Sequence, residues 1–129
     1  PGYISQVDYY FDKARVFVAP LRYGAGMKGK IGHSMCLGLP VITTSIGAEG
    51  MGLVHGENVI IADKADDFAT QIIHLYEDCQ TWQKIANASS ASIARFSPES
   101  IQEHLKDKLS RLLPQQCSSK KILKKAQVK

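Results

Sequence analysis

Apolar and polar positions along this chain change period in a regular order. From Asp8 to Ala14, the residues Tyr10, Phe11 and Ala14 fall on one side of a short helix. Arg15-Val16-Phe17-Val18-Ala19-Pro20 is then nearly continuous in apolarity, β-branched and aromatic, and closed by a proline. That pattern predicts a buried parallel strand whose carboxyl end opens onto a loop. A helix follows over about Lys30 to Leu37, with Ile31 and Met35 facing the sheet, Gly38 suited to a left-handed C-cap, and Pro40 restarting an extended segment. Pro40 to Thr44 is the next strand and Val59 to Ala62 a third. Between them, Ile46 to Glu57 contains four glycines and no clear period, which predicts a loop over the carboxyl edge of the sheet.

The second half reads as helical. Asp63, with Asp66 three residues on, predicts an N-cap, and Phe68, Ile72, Leu75 and Tyr76 supply the apolar stripe that follows. Trp82, Ile85 and Ala86 begin another helical face. Ser97-Pro98-Glu99 is a strong helix start, a capping hydroxyl followed by proline at the first helical position, and Ile101, Leu105, Leu109 and Leu112 repeat along one side until Pro114. Strands alternating with helices imply an α/β fold, a Rossmann-like parallel sheet with flanking helices, whose ligands bind outside the carboxyl ends of the strands. Three strands are few for a complete doubly wound domain, so the chain reads as the second part of one.

The stretch LRYGAGMKGKIGHSMCLGLPVITT, Leu21 to Thr44, carries the candidate chemistry. It joins a strand end, a glycine-rich loop, a short helix and a second strand. Gly24, Gly26 and Gly29 let the backbone bend and approach a ligand, and the following helix offers N–H groups and the positive end of its dipole to an anion. Lys28 adds a mobile charge beside that opening.

Composition narrows the classes. A chain of 129 residues fits one modest domain. Its apolar runs are too short to cross a bilayer and its opening residues are not a signal peptide, which leads to an expectation of a cytoplasmic chain. Cys36, Cys79 and Cys117 are odd in number and widely spaced, so free thiols are expected rather than a disulfide framework or zinc site. His55, His74 and His104 show no metal-ligand spacing, and Met27, Met35 and Met51 read as packing residues. The net charge of +4 resides in a tail containing Lys120, Lys121, Lys124, Lys125 and Lys129, without interleaved aromatics. A solvated terminus is the expectation there; no nucleic-acid partner is expected, and peripheral membrane contact stays open as an alternative without a supporting motif.

PLRYGAGMKGKI, MCLGLPVITTSIGAEGM and the later VIIAD before a helix, in that order, resemble the carboxyl-terminal domain of retaining glycosyltransferases of the GT-B type, in the group 1 or family 4 class. The resemblance covers most of residues 2 to 113. It implies a partial donor-binding domain over residues 1–113, a lysine-rich tail over 114–129, and a two-lobed enzyme that binds a nucleotide-diphosphate sugar and passes the sugar to an acceptor held by an amino-terminal lobe. No cofactor is implied and metal is usually unnecessary in that fold. Cationic groups and a helix N-terminus instead stabilise the charge developing on the departing diphosphate. Gly24, Ala25, Gly26, Met27, Lys28 and Gly29 match the loop, with Lys28 or Lys30 as the positive contact. Arg22 at the mouth, Thr43, Thr44 and Glu49 are further candidates.

The chain departs from the family's pair of glutamates, holding Ala25 and His33 at the matching positions. The second glutamate accepts hydrogen bonds from the donor's ribose in that family. His33 offers at most one acceptor nitrogen, a change worth roughly 1–3 kcal/mol of ribose recognition. Catalytic residues are not assigned. Plainer readings stand beside these: His33 as an exposed helix histidine, Lys28 and Lys30 as solvated lysines, Thr43 and Thr44 as a strand end. Nucleophilic hydrolase chemistry lacks its motifs, and G-A-G-M-K-G fits the dinucleotide fingerprint only by letter. The rival reading is an inactive nucleotide-binding or structural α/β module. Because the acceptor lobe and the start of the donor lobe are missing, the isolated 129 residues are expected to show weak or no transfer.

Overall fold

The computed structural model describes residues 2–112. The chain divides into two compact units, residues 1–95 and 96–129, taken separately below.

The first unit is built on a parallel sheet of β1 (Phe17–Ala19), β2 (Val41–Thr43) and β3 (Ile60–Ile61), in that order. Phe17 pairs with Val41 and Ala19 with Thr43, and Ile42 pairs with Ile60. Side chains alternate across the sheet, so Val41 and Thr43 point to one face and Ile42 and Ile60 to the other. The helices are α1 (Asp8–Lys13), α2 (Gly29–Cys36), α3 (Ser45–Ala48), α4 (Ala65–Glu77) and α5 (Cys79–Ile93), followed by a 3-10 turn over Ala94–Phe96.

The buried stripe of α2, Ile31 and Met35, lies on the Thr43 face, and Gly38 ends the helix with φ 69°, as the sequence predicts. On the other face, Ile42, Ile60 and Ala62 form one cluster with Phe68 and Leu75 of α4 and Ile85 of α5, flanked by Val16, Ile72 and Trp82. Burying each large apolar side chain stabilises the fold by about 1.5–3 kcal/mol. Arg15 ties this layer to β1: its Nε donates to the Tyr76 carbonyl at 2.7 Å, its guanidinium lies over the Tyr76 and Trp82 rings, and its own carbonyl accepts from Trp82 Nε1 at 2.7 Å. The Ile46–Glu57 region is anchored by Asn58, whose Oδ1 accepts from Val54 N at 2.9 Å and whose Nδ2 donates to Ser92 Oγ at 2.8 Å.

Five expectations are corrected here. Ser45–Ala48 is a turn of helix rather than loop, because Thr44 caps it, accepting from Gly47 N at 3.3 Å. Asp63 does not cap α4: Lys64 occupies that position without a side-chain cap, and the Asp63 carboxylate turns to Ser45. β1 is an edge strand among the described residues, so Val18 is 42% exposed where continuous apolarity suggested burial on both faces. Tyr76 and Met27 are exposed rather than packed, whereas Met35 and Met51 are fully buried.

In the second unit, α6 (Pro98–Leu112) starts as the sequence predicts, with Ser97 Oγ accepting from Ser100 N at 3.2 Å. Its apolar residues Ile101, Leu105, Leu109 and Leu112 are all exposed. The lysine-rich tail, and with it the 113/114 boundary, lies outside the described residues. Among the described residues no helix is long and apolar enough to cross a membrane.

Candidate functional site

β1 ends at Ala19, and the chain turns through residues 20–28 before α2 begins. Gly24 and Gly26 take φ of 137° and 73°, conformations that side-chain-bearing residues rarely adopt, so this loop requires glycine at both. Gly29 is different: it is the first residue of α2 and has no such φ, so the loop bends at two glycines rather than three. Lys28 folds over the turn, its Nζ donating to the Gly26 carbonyl at 2.6 Å. Its side chain also passes 3.6 Å from where a Cβ on Gly24 would stand.

The N–H groups of Gly29, Lys30 and Ile31 have no carbonyl within α2 to bond, and no side chain caps this end. The first turn holds no acidic residue. From Leu21 to Gly32 the chain carries Arg22, Lys28 and Lys30 and no carboxylate. Backbone donors, the helix dipole and the two lysines at the start of α2, Lys28 and Lys30, therefore act with one sign, a setting that favours an anion.

One turn into α2, His33 Nε2 lies 3.2 Å from Asp8 Oδ1 of α1. Its ring stacks on Phe11 with centroids 4.9 Å apart, and Phe11 in turn stacks on Phe17 at 5.6 Å. Lys30 and His33 share the wall of a largely apolar cavity of about 400 Å³ with Ile4, Val7, Tyr10, Phe11 and Phe17. Nothing local in the sequence marks Asp8 for contact with His33, or Phe11 and Phe17 for this cavity, since Asp8 and Phe11 come from α1 and Phe17 from β1.

The other candidates separate. Arg22 and Thr44 line a second cavity, of about 250 Å³, with Asp63 and the apolar Phe68, Ala69 and Ile72. Thr44 Oγ1 donates to the Leu21 carbonyl at 2.7 Å, so this hydroxyl holds the start of the loop. Thr43 is fully buried and its hydroxyl donates to the Ala19 carbonyl at 2.9 Å, joining β1 to β2. Ala25 and Met27 are exposed on the loop, and Glu49 is exposed just after α3. The geometry thus brings Lys28 onto Gly24 and Gly26, and Lys30 beside His33; it does not bring Thr43 or Glu49 to either group.

Asp63 stands at the end of β3, where Oδ1 accepts from Ser45 N at 2.8 Å and Oδ2 from Ser45 Oγ at 2.7 Å. The side-chain bond, followed by the backbone bond, holds this carboxyl below its ordinary range. Cys36 and Cys79 are free and exposed. Among the described residues no three His, Cys, Asp or Glu side chains gather as a metal site.

The family described as Glycosyl transferases group 1 matches residues 1–78. The chain belongs to that family. The match takes in all three strands, the glycine loop and helices α1 to α4, and so every candidate residue discussed above. This glycosyl transferase group 1 chain is also similar to an uncharacterized 44.6 kDa protein in the cps region of Klebsiella pneumoniae, with 37% identity over 82 residues. That stretch is 64% of the chain but 21% of the relative, so the chain spans about a fifth of the length of the curated protein it matches.

Proposed function

We propose that the chain is the donor-binding part of a retaining glycosyltransferase of the GT-B type, within a carboxyl-terminal lobe, and that it acts in the cytoplasm as part of a longer protein. One observation carries the reading: the uncapped N-terminus of α2 and the Gly24–Lys28 loop form a cationic anion seat next to the cavity lined by Lys30 and His33. A nucleotide-diphosphate sugar has the complementary order of groups. Its diphosphate meets the α2 N–H groups and Lys28, and its nucleoside extends along α2 toward Phe11 and His33.

In this reading the chain's own groups stabilise the leaving diphosphate. Negative charge grows on it as the bond to the sugar breaks, and fixed N–H dipoles with a nearby ammonium favour that state without rearranging. Lys28 must exchange the Gly26 carbonyl for a phosphate oxygen, a charge-assisted bond that is the stronger of the two. An acceptor held by a second lobe then receives the sugar. No metal or cofactor enters this reading.

A second reading, a nucleotide-binding or structural module without transfer, is favoured by the absence of a carboxylate at Ala25 and by the engagement of His33 with Asp8. Donor binding and sugar transfer by the full-length parent, with and without Lys28→Ala and His33→Ala, decide between them. Binding and transfer that both fall in the variants support the transferase; binding without transfer supports the nucleotide-binding module; no donor binding removes the transferase and leaves the structural module.

A further inference from the structure

We propose that His55 is an acid-sensitive latch on the outer edge of β3, closed while its imidazole is neutral and released when the ring takes up a proton. The proposal does not depend on the donor-binding reading. Ala62 N donates to the Thr43 carbonyl of β2 at 2.9 Å, so the N–H of the residue before it, Ile61, faces away from β2. Among the described residues the sheet has no further strand on that side, and an unpaired edge is a template for pairing with other chains. The turn before β3 covers it. Gly56 N donates to the Val59 carbonyl at 2.8 Å, and His55 and Val59 form a short parallel bridge. The next donor along the edge is met by a side chain: Ile61 N donates to His55 Nδ1 at 2.9 Å. The imidazole nitrogen stands where a neighbouring strand would place a carbonyl oxygen.

Nδ1 accepts only while it carries no hydrogen, so this bond selects the neutral ring with its hydrogen on Nε2. Protonation places a hydrogen on both nitrogens. Two donors then oppose each other across the former bond, and the ring has to swing away. His55 is exposed, so solvent delivers the proton without any opening of the fold. The charged groups around it are Glu57 in the turn, Asp63 and Lys64 beyond β3, and Arg95 after α5, whose guanidinium donates to the Met51 carbonyl. Among the described residues His55 forms an ion pair with no carboxylate, so no counter-ion retains the protonated ring. Release is local, because the base of the turn stays tied to α5: Asn58 Nδ2 donates to Ser92 Oγ, and Ser89 Oγ donates to the Asn58 carbonyl at 3.1 Å. What acid uncovers is the Ile61 donor at the edge of β3.

The test uses the 129-residue chain and its variants His55→Asn and His55→Ala. Asparagine carries an acceptor oxygen at about the reach of Nδ1 and does not titrate. Amide hydrogen exchange of Ile61 is followed from about pH 8 to about pH 5, which spans the ordinary histidine range, with Leu75 of α4 as the reference for global unfolding. Long-range ¹H–¹⁵N correlation reads the tautomer at the upper end of that range. We expect the Nε2–H form in the wild type, and Ile61 protection that falls about three- to tenfold in acid relative to Leu75, as for loss of one hydrogen bond. His55→Asn should hold its Ile61 protection constant, and His55→Ala should show the acid value throughout. An Nδ1–H wild type, or an equal fall in His55→Asn, overturns the proposal. So does a ratio of Ile61 to Leu75 protection that stays the same in acid, whether both remain protected or both are lost together.

Discussion

Ser45 and Asp63 join the ends of two neighbouring strands through a two-point contact. The backbone N–H of Ser45, at the start of α3, donates to Asp63 Oδ1, and its hydroxyl donates to Oδ2. The carboxylate thereby secures the β2–α3 corner against the end of β3, beside the cavity that Arg22 and Thr44 line.

This contact makes stability depend on acid in a stated direction. The Ser45 bonds hold the folded Asp63 carboxyl below its ordinary 3.8. A depressed folded value means that the contribution is fully present above 3.8 and is lost as pH falls from there through the folded value. Asp78, which accepts from Thr81 Oγ1 and Gln80 N at the start of α5, is shifted the same way. The thermal midpoint of Asp63→Asn should therefore lie below that of the wild type by a constant margin near neutrality, and the margin should shrink below pH 3.8. A margin equal at pH 3 and pH 7 would remove Asp63 as a source of the acid dependence.

Gly47 predicts a steric effect in the core. A Cβ there would stand 1.9 Å from Thr43 Oγ1 and 3.3 Å from Ile31 Cδ1, both in the buried layer beneath α3. Gly47→Ala must displace the Thr43 hydroxyl from the Ala19 carbonyl, and overpacking of this kind costs roughly 1–3 kcal/mol. Thr43→Ala removes the clashing atom. The double variant should therefore be more stable than the sum of the two single losses indicates, and urea unfolding of the three proteins measures that coupling.

Burial also separates two leucines. Leu75 is fully buried in the cluster between β2, β3 and α5, whereas Leu105 of α6 is 56% exposed. Leu75→Ala should cost about 2–5 kcal/mol by transfer and cavity terms, and Leu105→Ala no more than about 0.5 kcal/mol. Chemical denaturation of the 129-residue chain gives both values, and equal losses would contradict the assignment of the core.

The strand and helix order was legible because apolar periodicity reports which face each segment buries. Ile31 with Met35, and Phe68 with Leu75, are cases in which spacing alone located the core side. Glycine and proline punctuation placed the loop after β1 and the end of α2 at Gly38. The sequence did not reveal α3, because four residues carry no period and the cap comes from Thr44, a residue that also ends a strand. Asp63 misled for a physical reason: acidic residues before a helix usually cap it, but here a partner 18 residues upstream competes successfully for both oxygens. The pairing of Asp8 with His33 was hidden similarly, since nothing local in either helix identifies its partner. Contacts made within a few residues are written in the pattern; contacts between elements are written only in the fold.

Lys28 gives the sharpest test of the anion seat. Lys28 is half-buried, its ammonium is bonded to the Gly26 carbonyl, and a phosphate oxygen can replace that carbonyl as its partner. Losing a charged hydrogen bond to a ligand costs about 1.5–3 kcal/mol, so Lys28→Ala should weaken binding of a nucleoside diphosphate roughly 10- to 150-fold. The change should also lower the salt sensitivity of binding, because one of the cations beside the α2 N-terminus is gone. Lys28→Ala leaves the glycine conformations intact, so the variant should melt close to the wild type and the effect should reside in affinity. Titration of UDP and GDP at low and moderate salt separates the cases: an unchanged affinity places the diphosphate elsewhere, and an unchanged salt slope with reduced affinity assigns Lys28 to shaping the loop rather than to contacting the anion.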